Sequence, residues 1–198
     1  FLMTTVLLLV SGIINVNQNG GNSITGSYHV LISGMTKEQY KKISTDSRIE
    51  LPGLSAAIGS IKVGENRLNV SYSDKDSLTL NGLSVSEGEM PEAENEIIIE
   101  EEYLLSQKTD AGIGDIISLP VSDGHKKADF VISGYLETAA SGTERTLYAA
   151  VVSEEYFVAI NGWENFPPAT MFRIKKDVLS NHGNIEDIAA QIAADAGI

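Results

Sequence analysis

The chain has 198 residues, 42% of them hydrophobic and 21% charged, which is enough to bury a core as one domain or as two small lobes. Its formal net charge of -13 argues against nucleic acid as a partner, because such binders concentrate Lys and Arg to displace counterions, and the same acidity repels anionic lipid headgroups. The absence of cysteine excludes disulfides, thiolate nucleophiles and cysteine-based zinc sites, and His29, His125 and His182 lack the spacing that lets imidazoles share an ion.

The first 14 residues, FLMTTVLLLVSGII, form an apolar run broken only by Thr4, Thr5, Ser11 and Gly12. A complete membrane helix needs about 20 apolar residues, so residues 1–14 read as the remnant of a membrane-spanning or anchoring segment. A signal peptide is the competing reading, against which no basic residue precedes the run and no small-x-small cleavage pattern follows it, and a core helix or buried strand also fits a run of this length. Residues 15–25, rich in Asn and Gly, have the chemistry of a linker, and residues 26–198 then form the folded domain. Within it, GSYHVLISG from Gly26 to Gly34 has strand composition, and Thr36 followed by Gln39 forms a capping pattern for a short helix.

From Ile49 to Leu83 the sequence reads as three short strands, LSAAIGSIKVG, NRLNVSYS and SLTLNGL, with turns at Gly64, Asp74–Asp76 and Asn81–Gly82. Ile97–Ile99 then form a buried strand, and Glu100–Glu102 open a helix carrying Tyr103, Leu104 and Leu105, with its acids solvated at the positive end of the helix dipole. GIGDIISLPV is a strand that Pro120 ends or confines to a sheet edge, and ADFVISGYLE and RTLYAAVVS follow as strands. EEYFVAI reads as a short helix after Ser153, PATMFRIKK as a strand, and NIEDIAAQIAADAGI as a terminal helix capped by Asn184. The predicted class is α+β, or mixed α/β, with several short, mostly antiparallel strands and about four helices.

The text from Gly88 to Leu119 carries a resemblance. It is similar to the extracytoplasmic core domains of FtsX/MacB-like ABC transporter permeases, in which a Gly-x-x-Pro stretch precedes a Glu-Ile strand, a helix and a Gly-Asp-x-Ile-x-Leu strand. The matching residues are Gly88, Pro91, Glu96, Ile97, Gly114, Asp115, Ile117 and Leu119. FVISGYL and TLYAAVVSEEYF continue the likeness, and GSYHVLISGMTKEQ looks like the segment that Gram-positive members place after their first membrane helix. The motif residues have structural jobs: Gly88 and Gly114 suit positive φ, Pro91 stiffens the entry to a strand, and Asp115 and Glu96 can accept backbone N–H groups.

Catalytic patterns are lacking. There is no G-x-S-x-G elbow and no phosphate-binding G-x-x-x-x-G-K loop. Ser141, in AASGTE, belongs to a flexible polar loop, and the adjacent acids Glu100–Glu102 diverge in direction rather than pairing across a cleft. Trp163 and Phe166, in NGWENFPPAT, form a candidate contact loop between a helix and a strand.

What the resemblance implies is a non-enzymatic extracytoplasmic domain at the cell membrane, with no cofactor and no metal. It would transmit ATP-driven motion or recognise cargo such as a peptide, lipoprotein or antibiotic. Its implied partners are a cytoplasmic ATPase subunit reached through the parent permease, a second permease copy, and the cargo itself. The alternative is a freestanding secreted or membrane-anchored binding module for peptide or cell-wall material.

Overall fold

A computed structural model describes residues 5–9, 12–16, 27–121, 126–138, 146–182 and 184–198. The elements in chain order are β1 (Thr5–Leu9), β2 (Gly12–Val16), β3 (Val30–Ser33), α1 (Lys37–Ser44), β4 (Ile49–Val63), β5 (Asn66–Ser73), α2 (Lys75–Leu80), β6 (Leu83–Gly88) and β7 (Glu96–Glu100). They continue with α3 (Glu101–Ser106), β8 (Ile116–Val121), β9 (Lys126–Thr138), β10 (Leu147–Val152), α4 (Glu154–Ala159), α5 (Gly162–Asn165), β11 (Ala169–Ile174), α6 (Lys176–His182) and α7 (Ile185–Ala196). The class is α+β, and most strand pairs are antiparallel; the exceptions among the registered pairs are β5 with β10 and β7 with β9.

The chain folds into two compact units. The first contains the residues up to Ser55, Asp74–Gly82 and Pro167 onward, and the second contains Ala56–Ser73 and Leu83–Phe166. In the first, the strand order is β1, β2, β3, β11 and the opening half of β4. β1 and β2 fall in the apolar stretch at the start of the chain, while residues 17–26, and with them most of the expected linker, lie outside the described residues. Val30, Ile32, Phe172 and Ile174 of the sheet are buried against Ile188, Ala189, Ile192 and Ala193 of α7. That helix places its apolar residues at the 3.6-residue period, begins where the Asn184 side chain accepts from Glu186 N–H, and ends at Gly197 in the left-handed conformation. At α1 the capping box is complete: Thr36 Oγ1 accepts from Gln39 N–H at 3.2 Å, and Gln39 Oε1 accepts from Thr36 N–H at 2.8 Å.

Two segments differ from the sequence reading. SLTL is helix α2 and not a strand, because Asp74 is an N-cap whose carboxylate accepts from Ser77 N–H and Leu54 N–H, each at 2.8 Å. A helix of six residues displays too little of its period to be told from an alternating strand. The helix then lies directly on β4, where a Cβ on Gly53 would stand 2.5 Å from Ser77 N. The second difference is the number of helices, seven among the described residues where about four were expected. α5 and α6 occupy segments read as loop and strand end, and both are too short to show an amphipathic pattern. None of the described helices is long and apolar enough to cross a membrane.

In the second unit the order is the closing half of β4, then β5, β10, β7, β9 and β6, with β8 pairing to β9. Its core holds Leu68, Val70, Ile97–Ile99, Leu104, Phe130, Ile132, Leu136 and Phe157. Pro120 lies within β8, whose single partner among the described strands is β9, so the proline occupies an edge strand.

His29 makes the first unit sensitive to pH. Its backbone N–H donates to Phe172 O at 2.9 Å, and its ring Nδ1 accepts from Ile174 N–H at 3.0 Å, which requires an unprotonated Nδ1. Burial first, then the Arg173 charge, hold its pKa below the ordinary imidazole value of 6.5, opposed in part by Glu50. The native state therefore binds fewer protons than the unfolded chain, so this stability is present above pH ~6.5 and is lost as pH falls toward the depressed value. Urea unfolding at about pH 7.5 and about pH 5.5 should show that loss, and His29→Asn, which keeps an acceptor without the titration, should flatten it. Equal pH slopes for the two proteins would overturn this account.

Candidate functional site

The motif residues gather on β9. Beside β7, the register slips between Ile97 opposite Ile132 and Ile98 opposite Gly134, which leaves Ser133 as the extra residue of a bulge. The Ser133 hydroxyl bridges the irregularity by reaching Glu89 O at 3.1 Å and Ile97 O at 3.2 Å. On the opposite side of β9, two strand ends abut: β8 begins at Ile116 opposite Val131, and β6 ends at Gly88 opposite Gly134. Gly114 N–H donates to Ile132 O at 2.8 Å, Ile132 N–H to Asp115 O at 3.0 Å, and Glu89 N–H to Ser133 O at 3.1 Å.

Gly88, Ile97, Gly114 and Asp115 thus converge on Ile132–Gly134 although they are far apart in sequence. Gly88 has φ of +76°, and a Cβ there would lie 2.3 Å from Ser133 O; a Cβ on Gly134 would lie 2.5 Å from Glu87 O. Gly114, at φ of +92°, faces open space. The Asp115 carboxylate closes its turn by accepting from Gly112 N–H at 2.9 Å. Pro91, which is buried, and Glu96 sit in the turn that leads into β7, where Glu96 Oε2 accepts from Glu92 N–H at 2.8 Å and Ala93 N–H at 2.9 Å.

Glu100 departs from the solvated helix start. It is the last residue of β7, fully buried, and its carboxylate accepts from Ala149 N–H at 2.8 Å. Exposure of its neighbours Glu101 and Glu102 fits the helix-dipole reading, but the strand runs one residue further than the acidic run suggested. Trp163 and Phe166 are half-buried and belong to α5 and its C-terminal cap, not to an extended loop. The Trp163 ring stands edge-on to Phe157 with centroids 6.3 Å apart. Gly162 lets this turn approach, since a Cβ there would stand 2.1 Å from Phe157 Cε2.

The sequence reading missed a depression of about 380 Å³ lined by Glu94, Asn95, Ala128, Asp129, Phe130 and Tyr156. Its residues come from three separate segments, so no local pattern announced it. Tyr156 meets Phe130 edge-on at 5.1 Å. Burial, and secondarily the Glu94 carboxylate, push the Tyr156 hydroxyl above its ordinary pKa. Ser141 and His125 lie outside the described residues. Among the described residues no group of three or more His, Asp or Glu side chains is arranged to hold a metal ion.

The junction makes unequal demands on its glycines. Gly88→Ala combines left-handed strain with a collision against backbone and should cost at least about 3 kcal/mol, whereas Gly114→Ala meets strain alone and should cost about 1–2 kcal/mol. Urea denaturation of both variants measures the difference, and equal losses would contradict the packing described.

The chain matches no protein-family model and no curated protein sequence. Solved structures do match. The extracellular domain of the noncanonic ABC-type transporter YknZ from Gram-positive bacteria shares 14% identity at a TM-score of 0.54, over 83% of this chain and 85% of that one. The periplasmic region of MacB from Actinobacillus actinomycetemcomitans shares 11% identity at a TM-score of 0.53, over 82% of this chain and 76% of that one. The chain therefore has the fold of a MacB-like extracytoplasmic domain.

Proposed function

We propose that this chain is the extracytoplasmic domain of an ABC transporter permease, a non-catalytic module that transmits ATP-driven motion, recognises cargo, or does both. The observation that carries the reading is the likeness to the YknZ extracellular domain, which extends over 83% of this chain and 85% of that domain. The junction on β9 supports a mechanical role. Backbone approaching where no Cβ fits resists deformation, so force applied to one strand there is passed to its neighbours rather than absorbed. In this reading the partners are a cytoplasmic ATPase subunit and a second permease copy, reached through the membrane part of the permease.

Protease added to intact cells tests the placement, and affinity purification from membranes tests the partnership. The expected result is cleavage of this domain from outside, together with an ATP-hydrolysing subunit in the purified material. A domain protected in intact cells, or one purified without any ATPase, would sink the proposal.

Trp163 and Phe166 are the proposed contact residues of this module. In the full-length permease, Phe166→Ser should reduce transport at least about threefold while the melting temperature of the isolated domain moves by less than about 2 °C. Transport that falls only in step with stability would make this turn a packing device.

A further inference from the structure

The geometry points to an open flank of β9, at Lys127–Asp129, that takes up an extended peptide segment and holds one of its basic side chains between Glu94 and the Tyr156 hydroxyl. The argument begins with strand alternation. Along an antiparallel ladder, successive residues turn their N–H and C=O groups to opposite sides. Ile132 exchanges hydrogen bonds with Gly114 and Asp115 on the β8 side. Phe130 and Ala128 therefore also face β8, while Val131, Asp129 and Lys127 face the other way. Val131 bears this out, since its N–H donates to Asn95 O at 2.7 Å.

On that other flank β7 begins only at Glu96, opposite Val131. No described strand continues beside Asp129 and Lys127, so among the described residues their backbone groups form an unpaired edge, the template on which extended peptides add as a strand. The depression lies at this place, with Ala128 and Asp129 on one wall and Glu94 and Asn95 on another. Tyr156 is 9% exposed and lines the same depression, and its hydroxyl makes no hydrogen bond among the described residues. The ring is buried while the hydroxyl opens onto the depression, where it offers a donor and an acceptor to an incoming group.

Charge selects the occupant. Glu94 is exposed and makes no ion pair among the described residues, and the Asp129 carboxylate, on the opposite face of β9 from Phe130, accepts from the Ser118 hydroxyl. Lys127, on the same strand, offsets only one of these charges, and the whole chain stands at -13. The Tyr156 and Phe130 rings supply apolar surface for the methylene stem of a lysine or arginine whose charged head meets Glu94. An acidic segment would be repelled. This site does not rest on the transport reading, because a freestanding binding module could carry it equally well.

The test is fluorescence anisotropy with a labelled hexapeptide alternating lysine and threonine, titrated with the intact chain. Glu94→Lys should weaken binding at least about tenfold and Tyr156→Phe about threefold, with near-UV circular dichroism confirming that both variants fold. A probe N-methylated at alternate residues along the pairing edge should lose binding altogether, which tests strand addition without altering the protein. The proposal is overturned if a glutamate–threonine peptide binds as tightly, if N-methylation leaves affinity unchanged, or if the lysine peptide fails to bind the folded chain at about 1 mM. It is equally overturned if sedimentation shows this edge occupied by a second copy of the chain that the peptide does not displace.

Discussion

The second unit depends on an approach of backbone to backbone that only glycine permits. At Gly88 and Gly134 the end of β6 and the middle of β9 come closer than any Cβ allows, at the place where β6 stops and β9 bulges beside β7. The Ser133 hydroxyl then fastens the irregular stretch to Glu89 and Ile97, and among the described residues no buried side-chain group is left unsatisfied. Hydrophobic burial of Ile97–Ile99 and Ile132 supplies the free energy, but it is non-directional; the glycines set the register.

The first unit solves a related problem with an acid. Asp74 caps α2 and reaches back to Leu54 N–H, so a carboxylate anchors a short helix that lies against Gly53 of β4. Burial pushes this carboxyl above its ordinary pKa even though backbone hydrogen bonds pull the other way. Thr170 adds a buried hydroxyl bond to Gly53 O at 2.9 Å, which ties β11 to the same glycine.

Much of the architecture was legible because long or strongly capped segments declare themselves. The α+β class, the capped helices after Thr36, Ser153 and Asn184, and the strands around Ile97–Ile99 and Phe130–Leu136 follow from periodicity and side-chain chemistry that act over a few residues. What was hidden depends on tertiary neighbours. SLTL is too short for its period to speak, and Glu100 looks like any acid at a helix start until β10 brings Ala149 N–H to it. The motif glycines and Asp115 could be read as turn formers, yet nothing local says that Gly88 and Gly114 meet on one strand. The depression was the least accessible feature, since Glu94, Asp129 and Tyr156 become neighbours only through the fold.

Pro120 has an effect beyond marking an edge. It stands opposite Lys127, and the alternation set by Ile132 turns both residues' backbone groups away from each other. The missing proline donor therefore falls on the outward rim of β8, where an intruding chain would otherwise find it. One margin of this part of the sheet is thus blunted against stray pairing while the opposite margin keeps its donors, so an incoming strand has a preferred side to approach.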